Sequence, residues 1–249
     1  MNIVKKALAI TAIVLASFSV SATLIGGVQW DPNHPVDFKG VASSIYQEVS
    51  LTGVLSGYGR ITSFNEGTTD DLCPGCELTF HFGGFTPSVV DAAVSDDFEY
   101  SGGWMKLWVD YSIEVVNPNA ISSMTFGTTG DDGGANALWL DLEGHEYIGT
   151  ETTFIGTVFE NLLQGAGFFD VVGGLAMGSL NTNTIVTTGS PVVGNADFSF
   201  TSSFTDFPSE TSSTGTANFK GKSIPEPSTL AIFALGLIAL AMRAHNKRI

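Results

Sequence analysis

Trp104-Met-Lys-Leu-Trp-Val-Asp-Tyr-Ser-Ile-Glu-Val115 alternates without a break. Met105, Leu107, Val109, Tyr111, Ile113 and Val115 fall on one side. Trp104, Lys106, Trp108, Asp110, Ser112 and Glu114 fall on the other. Successive side chains of a β-strand point to opposite faces, so this period of two over twelve residues predicts a half-buried strand. The same alternation recurs to either side. In Glu77–Phe82, Leu78, Phe80 and Phe82 oppose Glu77, Thr79 and His81. In Ala137–Glu143, Leu138, Leu140 and Leu142 oppose Trp139, Asp141 and Glu143. In Asp197–Thr205, Phe198, Phe200 and Phe204 oppose serine and threonine. Further strands are expected at Ile45–Leu55, Gly57–Phe64, Glu151–Phe159 and Thr216–Lys220.

Turn residues separate these runs: Gly83-Gly84, Gly102-Gly103, Asn117-Pro118-Asn119, Asp131-Asp132-Gly133-Gly134 and Gly173-Gly174. No segment holds a helical period, although Asn161–Leu163 could form a single turn. The expected fold is all-β, a β-sandwich or jelly roll with phenylalanine and leucine turned inward. No repeat of fixed period points to a solenoid.

The two ends of the chain read differently. Lys5 and Lys6 precede the apolar run Ala7–Val20, and Val20-Ser21-Ala22 offers small side chains at the positions a signal peptidase reads. Residues 1–22 are therefore expected to be a signal peptide, a short apolar helix cut between Ala22 and Thr23. At the other end, Pro225, Glu226 and Pro227 precede the apolar run Thr229–Met242 and the basic residues Arg243, Lys247 and Arg248. The two prolines disfavour helix and extend the chain around Glu226. As a helix, Leu230–Met242 would rise roughly 20 Å, short of a bilayer core about 30 Å thick. Such a transmembrane helix suits a transient anchor. Basic residues outside both apolar runs hold both ends in the cytoplasm, so the stretch between them is expected to be exported.

The triplet, short apolar helix and basic stop of residues 223–249 resemble the PEP-CTERM sorting signal of Gram-negative bacteria. Gly26-Gly-Val-Gln-Trp-Asp-Pro, Ser56-Gly-Tyr-Gly-Arg, Asn181-Thr-Asn-Thr and the Cys73-Pro-Gly-Cys76 loop also resemble a recurring group of PEP-CTERM proteins. The resemblance implies that an exosortase cuts the exported precursor near the Pro-Glu-Pro motif. It also implies transient residence in the inner membrane and a final place at the cell surface or outside it, in the company of exopolysaccharide and biofilm. It carries no activity for the ectodomain, residues 23–222.

Composition narrows the choices for that ectodomain. Of the 25 acidic residues all but Glu226 lie within residues 23–222, against five basic ones, Lys39, Arg60, Lys106, Lys220 and Lys222. A surface so acidic is a poor partner for nucleic acid. Divalent cations suit it better, and Asp131 and Asp132 form a candidate calcium loop, although the spaced ligands of an EF-hand are missing. Asp70-Asp71 and Asp96-Asp97-x-Glu99 are similar turns. No firm metal site and no required cofactor emerge. His34, His81 and His145 lack metal-ligand spacing. Cys73 and Cys76 are expected to close a small disulfide loop in an oxidising compartment.

Three functional classes remain. The first is a non-enzymatic surface or matrix protein. The second is a polysaccharide-binding module, with Trp104, Trp108 and Trp139 as candidate glycan contacts, because an aromatic ring among polar groups can stack on a sugar. The third is a secreted glycoside hydrolase built on Asp141 and Glu143, two carboxylates on one strand face. Their order is the reverse of that in laminarinase-like enzymes, and no catalytic residue is assigned. The expectation is therefore a non-enzyme.

Overall fold

Trp104–Asp110 of the alternating run form strand, and the computed structural model places them in the wall of a barrel; Tyr111 lies beyond the strand and is exposed, and residues 112–115 lie outside the described residues. The structure describes residues 23–35, 37–88, 97–111, 137–147, 151–159, 162–185, 195–209 and 212–224. A small hairpin comes first, β1 (Thr23–Ile25) and β2 (Val28–Trp30), turning on Gly26 and Gly27. There follow β3 (Lys39–Val49), β4 (Leu55–Ile61), the short pair β5 (Ser63–Phe64) and β6 (Gly67–Thr68), β7 (Glu77–Pro87) and β8 (Asp97–Asp110). The remaining strands are β9 (Ala137–Gly144), β10 (Thr152–Phe159), β11 (Leu162–Gly173), β12 (Phe198–Ser209) and β13 (Ser212–Lys220). Two one-turn helices, Thr69–Leu72 and Met177–Leu180, complete the described elements.

Eight strands hydrogen-bond in the order β3, β4, β7, β8, β10, β11, β12, β13, all neighbours antiparallel. Lys220 then pairs with Lys39 and Ser212 with Glu48, which joins β13 back to β3. The expected sandwich is thus corrected to a closed barrel, a shape that removes exposed sheet edges. One wall position is shared. The first part of β8 pairs with β10 and its last part with β9, and β11 divides its partners in the same way.

The barrel is filled by aromatic rings. Phe80, Phe82, Phe85, Phe154, Phe169, Phe200 and Phe219 are all buried. Ring centroids lie 4.9 Å apart for Phe80–Phe219, 5.0 Å for Phe200–Phe219 and 5.6 Å for Phe85–Phe154. A void of about 10 Å³ is left among them, at the lower edge of what one water fills. Eight strands enclose a space that side chains can fill, and here the described residues fill it. The outward positions of β12 and β13 carry Thr201, Ser203, Thr216 and Asn218, while those of β11 alternate polar Gln164 and Asp170 with Ala166, Phe168 and Val172.

Several local expectations change. Gly83-Gly84 and Gly102-Gly103 are not turns: they lie inside β7 and β8 and face each other across the ladder, where Gly83 pairs with Trp104 and Phe85 with Gly102. Gly103 has φ +89°, and a Cβ there would collide with the Phe85 ring. The expected strand Ile45–Leu55 overran a hairpin, since Ser50–Val54 turns and the Ser50 N–H donates to Val54 O at 2.9 Å. The Asn161–Leu163 turn gives way to strand, because β11 already begins at Leu162.

Among the described residues no helix is long and apolar enough to cross a membrane. The expected signal peptide, residues 1–22, and the expected C-terminal helix, Thr229–Met242, lie outside the described residues, as do Asp131 and Asp132.

Candidate functional site

Period-two geometry brings the outward side chains of five adjacent strands into one row. Tyr46 of β3 pairs with Tyr58 of β4, Tyr58 with His81 of β7, His81 with Lys106 of β8, and Lys106 with Asp141 of β9. At about 4.8 Å between strands, four such steps span roughly 19 Å. Trp104 and Trp108 flank Lys106 on β8. All seven side chains are half-buried.

Contacts within the row are specific. The Tyr46 and Tyr58 rings lie 5.2 Å apart, and His81 meets Trp104 edge to face at 5.0 Å. Trp104 lies down on the neighbouring strand where Gly83 and Gly84 have no side chains, so that a Cβ on Gly84 would come within 3.0 Å of its indole. Lys106 Nζ sits 5.6 Å from the Trp104 ring centroid and 3.7 Å from Asp141 Oδ2. Burial is the main cause that lifts Tyr58 to about 12, with Tyr46 and Glu48 adding to it. Burial also holds His81 below the usual imidazole range, which keeps it neutral at neutral pH. The result is an elongated surface of aromatic rings with hydroxyl, imidazole and ion-paired groups between them.

Trp139 does not belong to it. The ladder steps from Leu107↔Leu140 to Trp108↔Leu138 and leaves Trp139 as the extra residue of a β-bulge. The bulge turns Trp139 inward, where it is wholly buried and donates Nε1–H to Ile25 O at 3.0 Å. It stacks on Phe38 at 5.7 Å and meets Trp30 edge to face at 5.8 Å. As a glycan contact Trp139 is therefore withdrawn.

Asp141 and Glu143 share the outward face of β9, opposite Lys106 and Trp104 of β8. Asp141 is paired with Lys106, while Glu143 is exposed opposite Asp170 of β11. A concavity of about 630 Å³ on the outer wall lies elsewhere, lined by Glu99, Thr157, Gln164, Ser203, Thr216 and Asn218 among others. Asp141 and Glu143 are not among its lining residues, and Glu99 accepts a hydrogen bond from Thr152 Oγ1 at 2.9 Å. Among the described residues no three His, Cys, Asp or Glu side chains are placed to hold a metal ion.

Two polar arrangements escaped the sequence reading. His145 Nδ1 and Asp170 Oδ2 lie 2.7 Å apart, joining the end of β9 to β11. Asp197, almost wholly buried, accepts backbone N–H bonds from Val171 at 2.8 Å and from Thr182 and Asn183 at 2.5 Å each. That clamp accounts for Asn181-Thr-Asn-Thr as a loop motif with an architectural role. Its signal was present in the sequence as an isolated aspartate beside Phe198, but nothing local pointed to a partner fifteen residues away. Cys73 and Cys76 are bonded to each other, with Cα atoms 5.2 Å apart, and both are buried.

The last described residues, 221–224, are stitched onto the barrel unit Thr23–Ile224. Gly221 N–H donates to Phe38 O at 2.9 Å and Ile224 N–H to Ser179 O at 2.8 Å. Asp37 Oδ2 accepts from Ser223 N at 2.7 Å and from Ser223 Oγ at 2.8 Å, and Ser223 Oγ in turn accepts from Trp30 Nε1 at 3.1 Å.

Residues 223–248 match the family described as the PEP-CTERM protein-sorting motif. Pro225, Glu226, Pro227, Arg243, Lys247 and Arg248 all fall within the match. No curated protein and no solved structure matches the chain.

Proposed function

We propose that this chain, which carries a PEP-CTERM sorting motif at its C-terminal end, is an exported, non-enzymatic protein of the cell surface or extracellular matrix. In this reading signal peptidase cuts after Ala22. The apolar run Thr229–Met242 then holds the precursor in the inner membrane, and an exosortase cuts near Pro225-Glu226-Pro227. The supporting observation is the sorting motif itself, which follows directly on an all-β domain. No cofactor is required. The acidic charge and the polar outward positions of β12 and β13 suit a protein working in an aqueous matrix with exopolysaccharide. The test is fractionation of a host with and without its exosortase. The protein is expected to accumulate in the membrane fraction when the enzyme is deleted and to leave it when the enzyme is restored. Equal distribution in both strains would overturn the reading.

The aromatic row favours a second reading, that the released domain binds polysaccharide. Tyr46, Tyr58, His81, Trp104 and Trp108 present ring edges and faces with polar groups between them, the chemistry by which one apolar, one wet surface receives pyranose rings. With Lys106 paired to Asp141 and Arg60 to Glu77, the row suits a neutral or weakly charged polymer. Loss of one stacking ring is expected to weaken binding by roughly 1–2 kcal/mol, about tenfold. Affinity electrophoresis in gels containing host exopolysaccharide would show this as faster migration of Trp104→Ala. Equal migration of wild type with and without polymer would remove the reading.

A further inference from the structure

The sorting motif and the barrel overlap. The match begins at Ser223, yet Ser223 and Ile224 are held to the barrel by four hydrogen bonds: Ser223 N and Oγ to Asp37 Oδ2, Trp30 Nε1 to Ser223 Oγ, and Ile224 N to Ser179 O. Pro225 follows with no linker residue between. A peptide-cleaving enzyme takes its substrate as an extended strand whose backbone N–H and C=O groups are free to pair with the cleft, as in strand addition. Ser223 and Ile224 have given their backbone N–H groups to Asp37 and Ser179, so neither can offer them to an enzyme while the contacts hold.

We propose that Asp37 and its contacts form a latch that sets where the chain is cut: with the latch closed, only bonds C-terminal to Ile224 are open to the sorting enzyme. Asp37 is thus a positioning residue for sorting. It acts through Ser223 and touches no reacting atom. This rests on the sorting function proposed above and adds to it the barrel's share in choosing the bond.

The chemistry of the latch is directional. The Ser223 hydroxyl accepts from the Trp30 indole and donates to Asp37, using both of its capacities. Both Ser223 bonds end on Oδ2 of Asp37, while Oδ1 is buried with no hydrogen-bond partner. An asparagine with its oxygen in the Oδ2 position would keep both bonds, and alanine would keep neither. The conservative change therefore separates the latch from the mere presence of a side chain.

The experiment expresses the full-length chain in a host with an exosortase and determines the C-terminal residue of the released protein by mass spectrometry. Wild type, Asp37→Asn, Asp37→Ala and Ser223→Ala are compared, and the thermal midpoint of each released barrel is recorded. Wild type and Asp37→Asn are expected to end at or beyond Ile224. Asp37→Ala is expected to add a population ending upstream of Ser223. Ser223→Ala, which keeps the backbone bond to Asp37, is expected to show a smaller upstream share. Wild-type termini upstream of Ser223 would overturn the latch, since latched bonds would then have been cut. Identical termini in all four proteins would overturn it too, because the enzyme alone would be choosing the bond. If Asp37→Ala yields no released folded barrel, Ser223→Ala decides by the same criterion. Failure of wild type to be cut at all would instead remove the sorting function on which the latch rests.

Discussion

Gly103 shows how one residue holds the wall of the barrel. Its φ of +89° and the Phe85 ring lying against it leave no room for a side chain. Gly103→Ala is expected to lose about 3 kcal/mol, from left-handed strain together with overpacking, which urea denaturation would show as a lower midpoint. A change under 0.5 kcal/mol would mean that the strand relaxes freely. Arg60 is a second case. Its guanidinium lies 3.1 Å from Glu77, whose carboxylate is almost fully buried. Arg60→Ala leaves that charge without its cation and is expected to cost about 2 kcal/mol. His81 gives a pH dependence. Its folded pKa lies below the reference value of 6.5 because burial disfavours the cation. The unfolded chain therefore takes up protons first as pH falls. The stability that His81 contributes is complete above pH 6.5 and is lost below it. Thermal midpoints taken between about pH 7 and 5.5 should fall less steeply in His81→Gln than in wild type; parallel slopes would contradict the assignment.

Elements were legible where alternation was strict. Where inward apolar and outward polar residues take turns, the sequence locates part of each strand: Glu77–Phe82 of β7, Trp104–Asp110 of β8, Phe198–Thr205 of β12 and Thr216–Lys220 of β13. β11 was missed because Gly165, Ala166 and Gly167 blur the pattern and Phe168-Phe169 breaks it. These glycines exist for partners distant in sequence, since a Cβ on Gly167 would press on the Phe154 ring of β10. Trp139 was misplaced for a related reason: a bulge is a property of two strands, so one strand's period cannot reveal it. Closure was equally hidden, because the β13–β3 pairing joins residues at opposite ends of the domain and has no local signature. The outward row Tyr46–Tyr58–His81–Lys106–Asp141 draws on five strands, and only its Trp104 and Trp108 flank could be read from one of them. The Cys73–Cys76 loop shows both sides. The pairing follows from spacing and compartment, but the burial of both sulfurs does not. Changing both cysteines to alanine should therefore preserve more stability than changing both to serine, which buries two hydroxyls; a reversed order of thermal midpoints would argue that the sulfurs are solvated.

At the scale of the whole molecule, the barrel and the sorting motif explain different things. Among the described residues the barrel offers an interior filled with aromatic rings and an outward row of aromatic and polar side chains. The motif at residues 223–248 supplies destination and processing. Their junction at Ser223 and Ile224, bonded into the barrel and matched by the motif, is where the two accounts meet. The precursor is expected to lose its tail, and the intact mass of the protein recovered outside the cell reads this out. From a host with its exosortase, that mass should lack residues 229–249 as well as residues 1–22, and deleting the exosortase should abolish the truncated form. A mass that still includes Thr229–Ile249 in the competent host would mean that the tail is not removed.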